Sequence, residues 1–370
     1  MYKSFLLGLV ALLAPLQFRA ADPQRADVFI AGADGYHTYR IPAAIVSTRG
    51  TLLAFCEGRK TNRSDTGDID LVLRRSRDGG KTWGPLQVVW DDGPNTVGNP
   101  CPVIDRQTGT LWLPLTRNLG SDKQSDIVAG TSKGTREAWI TKSTDDGATW
   151  SPPVQITAQV KEPSWTWFAT GPGVGIQLKN GRMVIPCDFS PAGKRVEHSF
   201  VIFSDDGGVS WQAGEKTEEG CGEAQAVELA DGALLMNMRN EGRGAHRRIA
   251  ISKNGGRTWG QTREETALPE PRCQASILRH TLPASSKKGL ILFSNPASNK
   301  RERLTVRFSE DEGKSWSAGR VVHPGPAAYS CLTVLPDRTV GVLFECGEKS
   351  AYERITFAAM PVAWLTDPHP

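Results

Sequence analysis

SRDGGKTW (residues 76–83) is the first of five near-copies of one phrase; the others are STDDGATW (143–150), SDDGGVSW (204–211), SKNGGRTW (252–259) and SEDEGKSW (309–316). All five obey Ser-x-Asp/Asn-x-Gly-x-Thr/Ser-Trp, a pattern that chance does not repeat five times in 370 residues. The chemistry is that of a β-hairpin turn. The Asp or Asn can accept local backbone N–H groups, the Gly supplies a position with positive φ, and the Trp re-enters the strand and can pack. The phrase therefore predicts an architecture and, by itself, no function.

Successive phrases start 67, 61, 48 and 57 residues apart, so the repeating unit is one supersecondary module with variable insertions. Between the phrases lie six short apolar runs bounded by turn residues, at 52–56, 111–115, 183–187, 234–238, 290–294 and 340–345. Each reads as an inner or middle strand of a four-stranded blade. Six runs predict an all-β, six-bladed β-propeller of roughly 58 residues per blade, above the ~40–50 of common propeller repeats, with the excess in loops. Five phrases suffice for six blades if the last blade closes the ring by joining the C-terminal strand around 352–357 to N-terminal strands. No long 3.6-residue periodicity follows the first twenty residues, and 38 Gly with 24 Pro suit a β-rich chain. No linker or shift in composition divides residues 22–370, which read as one domain.

The N-terminus carries Lys3, an apolar run over 5–16 and small residues at Ala20 and Ala21. That order reads as a secretory signal peptide over 1–21, and the run is shorter than the ~20 residues a membrane span needs. The predicted location is outside the cytoplasm, secreted or periplasmic, with no membrane span. Seven cysteines, an odd number without CxxC spacing, argue against a disulfide framework or a zinc site and leave room for one or two disulfides at most. The net charge of +4 comes from dispersed arginines, which disfavours a nucleic-acid partner and suits a small anionic ligand in a focused positive pocket.

Tyr39-Arg40-Ile41-Pro42 leads into the first strand-like run. With the turn phrases that follow it, this motif resembles the exo-sialidases, glycoside hydrolases whose first blade begins Tyr/Phe-Arg-Ile-Pro and whose other blades carry the same turns. The resemblance covers essentially the whole chain after residue 21. It implies that Arg40 binds the sialic acid carboxylate, with Arg239, in the segment 234–240 that resembles the family's strand ending in Asn-x-Arg, and Arg301 completing a triad. Arg303 and Arg307 rival Arg301, because on a regular strand the three project to one face.

A sialoside needs guanidinium forks for its carboxylate, a nucleophile and a proton donor. The anomeric carbon bears a carboxylate, so a neutral phenol approaches it with less repulsion than a carboxylate would, and a tyrosine nucleophile is the known exception among glycosidases. Tyr329, in Ala328-Tyr329-Ser330, matches the family's Tyr-Ser segment. An unperturbed phenol has a pKa of about 10, so it needs a base. The resemblance assigns that role to Glu223, with Glu228 as rival. It assigns the acid to Asp65, with Asp68 and Asp70 as rivals.

Glu345 resembles the glutamate that steadies the first arginine, and Arg59 is a further substrate contact. Asn99 stands where relatives often have Asp, which leaves ring-substituent preference open. The aromatic stretch 165–168 is either substrate surface or core. The chemistry calls for no cofactor and no metal, and the partners implied are sialylated glycoproteins, glycolipids and oligosaccharides. A non-catalytic binding propeller and a trans- or anhydro-sialidase variant are the alternative readings, and oligomeric state is not legible.

Overall fold

The computed structural model describes residues 21–194, 196–242, 244–284 and 288–367. The predicted signal peptide lies outside these residues except for Ala21. The chain forms six antiparallel blades of four strands each. Blade 1 comprises Thr38–Val46, Leu52–Arg59, Ile69–Ser76 and Gln87–Trp90. Blade 2 has a first strand split into Thr96–Gly98 and Val103–Ile104, then Leu111–Asn118, Glu137–Ser143 and Val154–Gln155. Blade 3 is split similarly, into Trp165–Thr170 and Ile176–Gln177, followed by Met183–Pro191, His198–Ser204 and Gln212–Ala213.

Blade 4 is Cys221–Glu228, Leu234–Asn240, His246–Ser252 and Arg263–Pro269. Blade 5 is Ser276–Thr281, Leu290–Pro296, Glu302–Ser309 and the first part of Arg320–Val334. The rest of that long strand, from Ala327, opens blade 6 with Val340–Cys346 and Arg354–Met360. Its fourth strand is Gln24–Ile30, which pairs with Arg354–Met360 and closes the ring with the N-terminal end of the described chain. The six apolar runs are the second strands of the six blades, buried on both faces.

Each turn phrase joins the third strand of a blade to its fourth. Blade 6 draws those two strands from opposite ends of the chain, so no hairpin exists there and no sixth phrase is needed. Within every phrase the Ser Oγ accepts the Gly N–H at 2.8–2.9 Å. The Asp or Asn Oδ1 accepts the backbone N–H of the Thr or Ser at 2.9–3.0 Å.

The Gly of each phrase has positive φ, from 74° at Gly147 to 93° at Gly208, and it presses on the preceding blade. A Cβ at Gly80 would lie 2.3 Å from the Phe357 ring, and one at Gly208 would lie 2.3 Å from Trp112. The phrase is therefore an inter-blade joint as well as a turn. Gly80→Ala combines a left-handed backbone with a clash against a ring and is expected to cost about 2–4 kcal/mol. Urea unfolding checks this, and an unchanged midpoint would contradict the joint.

The five phrase tryptophans pack at these joints, Trp83 edge-on to Phe357 and Trp150 edge-on to Phe55. All seven cysteines are free and buried, so the disulfides left open by the sequence are not formed. Each sits among apolar neighbours or strand backbone as a small hydrophobe would. Among the described residues no helix is long and apolar enough to cross a membrane.

Candidate active site

In every blade the first strand starts, the second ends and the third starts at one end of the propeller, while the turn phrases mark the other. Side chains at those three positions converge on a cavity of ≈ 230 Å³. Arg40, Arg59, Asp65, Asn99, Glu223, Arg239, Arg301 and Tyr329 all line it. Every predicted site residue except Glu345 is therefore on its wall, and Glu345 stands directly behind.

Tyr329 begins the part of its strand that faces the axis and is 6% exposed. Its hydroxyl donates to Glu223 Oε1 at 2.5 Å. Arg239 Nη1 donates to Glu223 Oε2 at 2.9 Å and to the Tyr329 oxygen at 3.3 Å. Burial pushes the phenol well above its ordinary pKa and the Glu223 charge adds to this, while Arg239 and Arg301 oppose it. The resting phenol is thus protonated and aimed at a carboxylate that can take its proton.

Arg40 and Arg301 flank the same ring, with guanidinium carbons 5.1 and 5.6 Å from its centroid. Arg40 Nε donates to Glu345 Oε1 at 2.8 Å, and so does the backbone N–H of Ile41, also at 2.8 Å. The N–H of Tyr329 donates to Glu345 Oε2 at 3.2 Å. A single carboxylate, fully buried, therefore ties the first arginine to the backbone of the tyrosine. The register slips between Arg40 and Ala43, and Ile41 adopts φ 62°, a costly conformation for a β-branched residue. This bulge turns Arg40 into the mouth, and the Glu345 hydrogen bonds hold it there.

The three rival arginines do not share a face. Shifts of register around Leu304 and a φ of 60° at Arg303 break the alternation that the sequence predicts. Arg301 reaches the cavity and donates to the Tyr352 hydroxyl at 2.8 Å, Arg303 is exposed, and Arg307 lies buried with its guanidinium toward Asn295, off the cavity lining. Asp65 is separated from its rivals by Lys60, whose ammonium pairs with Asp68 at 3.0 Å and Asp70 at 3.2 Å away from the cavity. Glu228 lies at the other end of its strand, where it accepts the Lys179 N–H.

Asp65 Oδ1 is 2.8 Å from Arg59 Nη1 and 3.6 Å from Arg40 Nη1, with the side chain 64% exposed. Its partial burial raises the carboxyl's pKa, but Arg59 and then Arg40 outweigh that and hold it below the ordinary value. Arg59 is itself held by Glu57, at 2.6 Å.

The chain matches the BNR repeat-like domain family over residues 50–342. It is 37% identical over 360 residues to a sialidase of Micromonospora viridifaciens, spanning 92% of this chain and 54% of that protein. A sialidase of Bacteroides fragilis is 34% identical, with 89% and 63% spanned. An exo-alpha-sialidase of Aspergillus fumigatus is 31% identical over 94% of this chain and 89% of its own length. The chain belongs to the sialidase family.

Among solved structures, Hadza microbial sialidase Hz136 matches with a TM-score of 0.82 at 33% identity, spanning 92% of this chain and 69% of that one. A leech intramolecular trans-sialidase matches with a TM-score of 0.79 at 18% identity and attests the fold alone. The chain spans between about half and two thirds of the length of the two bacterial sialidases.

Several cavity residues of this sialidase-family chain carry no motif. Arg136, 3% exposed, donates to Asn99 Oδ1 at 2.6 Å and to Thr116, and lies 4.2 Å over the Trp167 ring. Asn99 thus spends its carboxamide oxygen on Arg136, and among the described residues no carboxylate pairs with that guanidinium. Trp167 lines the cavity, whereas Trp165 stacks on Phe189 and Phe168 is core, so the aromatic stretch divides between the two readings. Asp188, Glu197 and Glu241 complete the far wall. The signal that could have found these residues is positional: a polar residue at a second-strand end or a third-strand start, counted from each turn phrase.

Proposed function

We propose that this sialidase-family chain is a retaining exo-α-sialidase that releases terminal sialic acids from glycoconjugates through a glycosyl–tyrosine intermediate. The observation that carries this reading is the Tyr329–Glu223 pair, 2.5 Å apart and ringed by guanidinium groups from blades 1, 4 and 5. A binding module has no use for a phenol hydrogen-bonded to a base beside an acid-bearing loop.

The substrate carboxylate is gripped by Arg40, Arg239 and Arg301, which brings the anomeric carbon to Tyr329. Glu223 takes the phenol proton as the Tyr329 oxygen bonds to that carbon. The bond to the aglycone oxygen breaks, and Asp65 protonates the departing oxygen. Asp65 then deprotonates a water that attacks the same carbon from the vacated side. The Tyr329 oxygen leaves and recovers its proton from Glu223, so configuration is retained.

Asp65 must be protonated for the first step, and its depressed pKa makes that form scarcer as pH rises. The basic limb of kcat/KM is therefore expected at acid pH. Arg59→Gln removes the nearest cation, raises the Asp65 pKa in the free enzyme and moves that limb to higher pH. An unmoved limb in a pH–rate profile would contradict the acid assignment. The reading as a whole is tested with a fluorogenic α-sialoside, in both acetamido and deaminated forms. Release of the fluorophore with free sialic acid is expected, and absence of release from both would overturn it.

A further inference from the structure

Asp65 rides on a loop, residues 60–68, that joins the second and third strands of blade 1 at the mouth. Residues 61–65 are all exposed, and an exposed loop is a poor platform for an acid that has to meet one oxygen of the substrate. A general acid works within about 3 Å of the atom it protonates, and a misplacement of about 1 Å can cost about 10²-fold.

The contact that holds the carboxyl itself, Arg59 Nη1 at 2.8 Å, depends on charge. Asp65 is neutral when it donates its proton, so this ion pair is lost in the form that acts. Arg59 keeps a bond to the Arg63 carbonyl at 2.7 Å, which steadies the first half of the loop alone. The remaining support comes from the loop's base.

There the Lys60 N–H donates to the Asp68 carbonyl at 3.1 Å, closing the loop on itself. The Lys60 ammonium lies 3.0 Å from Asp68 Oδ1 and 3.2 Å from Asp70 Oδ2, and it donates to Asp91 Oδ2 at 3.2 Å. Asp70 is 1% exposed and its Oδ2 also accepts the Tyr36 hydroxyl at 2.6 Å, so the cluster is rooted in the body of blade 1. Asp91 begins the connection to blade 2. Burial lowers the Lys60 pKa, but the three carboxylates outweigh it and hold the group above its ordinary value. The ammonium therefore keeps its charge wherever Asp65 titrates.

A second anchor comes from blade 2. Thr96, also buried, accepts the Gly67 N–H at 3.2 Å and donates to the Gly67 carbonyl at 2.9 Å. Gly67 has φ 126°, and a Cβ on the neighbouring Gly120 would fall 2.9 Å from its carbonyl oxygen, so the junction is tight. Neither Lys60 nor Thr96 lines the cavity, so an effect of either on turnover has to pass through the loop.

We propose that Lys60 is a positioning residue for the general acid: its ammonium, shared by Asp68, Asp70 and Asp91, pins the loop and keeps Asp65 in place while it is protonated. The pin rests on the assignment of Asp65 as the acid and deepens it by naming what holds that acid. Without the ammonium, three carboxylates meet at the base with no cation between them, and their repulsion opens the loop.

The test exploits the need for a proton. An alcohol leaving from a sialyl oligosaccharide needs one, whereas a nitrophenolate leaves from an aryl sialoside without it. Lys60→Met is expected to lose about 30-fold in kcat/KM on the oligosaccharide and less than about 3-fold on the nitrophenyl sialoside. Lys60→Arg, which keeps a cation, should retain most of the activity on both. Thr96→Val should show the same split at smaller size, and it decides the matter if Lys60→Met does not fold. Asp65→Asn, run alongside, should show the split most strongly. Equal losses on the two substrates in Lys60→Met and Thr96→Val, beside a clear split in Asp65→Asn, would overturn the pin alone. No split in Asp65→Asn would overturn the acid assignment and the pin with it. Should wild type release neither aglycone, the hydrolase reading falls instead; amide exchange at residues 60 and 67 is then expected to be about 10-fold faster in Lys60→Met, and unchanged exchange would overturn the pin as well.

Discussion

Tyr329→Phe lowers kcat on an unactivated substrate such as a sialyl oligosaccharide by about 10³-fold or more, with KM changed little. The variant deletes one oxygen. Its ring keeps the place between Arg40 and Arg301, and Glu223 keeps Arg239 at 2.9 Å, so neither the arginine clamp nor the fold loses its supports. Only the atom proposed to bond to the anomeric carbon is gone, and Glu223 is left with no proton to take. Steady-state kinetics on purified protein decides the matter. A kcat within tenfold of wild type would remove Tyr329 from the reaction, whatever its position.

Arg40→Met is expected to fail twice, in activity and in stability. The guanidinium it removes is part of the proposed carboxylate clamp, so kcat/KM should fall by about 10²-fold or more. It is also the cation facing Glu345, which is fully buried, at 2.8 Å. Removing one partner of a buried pair typically costs about 3–5 kcal/mol, because the remaining charge is stranded. The backbone N–H groups of Ile41 and Tyr329 still reach Glu345, which moderates that loss. The two failures separate in the double variant Arg40→Met/Glu345→Gln, where a neutral amide replaces the stranded charge. Urea unfolding should show much of the stability restored while activity stays low. Recovery of activity in the double variant would contradict a direct role for Arg40 in binding.

The sequence displays the propeller because its repeated phrase is chemically demanding. A Ser that accepts a Gly N–H, an Asp or Asn that accepts the N–H of the same phrase's Thr or Ser and a Gly pressed against the neighbouring blade leave few substitutions open, so the pattern survives five times. Arg40 was legible for a similar reason, since its bulge places Ile41 at positive φ behind a recognisable Arg-Ile-Pro. Tyr329 and Glu223 were legible through motif and order along the chain.

Other parts depend on three-dimensional relations that no local pattern states. Asp65 is distinguished from Asp68 and Asp70 by a lysine that binds the latter two, and Arg301 from Arg303 and Arg307 by an irregular strand. Arg136, Asp188 and Glu197 come from blades 2 and 3 and meet only because those neighbouring blades pack side by side. In the linear chain each is one more charged residue near a strand end. The match to the predicted propeller comes from local turn chemistry repeated, whereas the far wall arises from the register between blades.

The central claim is that Tyr329 forms a covalent bond to the sugar. A sialic acid bearing fluorine at the anomeric carbon and at its neighbour supplies the direct test, because the second fluorine slows hydrolysis of the intermediate more than it prevents its formation. Incubation with the protein, followed by proteolysis and mass spectrometry, is expected to find one sugar residue on the peptide containing Tyr329, absent in Tyr329→Phe. Turnover of a sialoside without such an adduct, or with the adduct on another residue, would contradict the account.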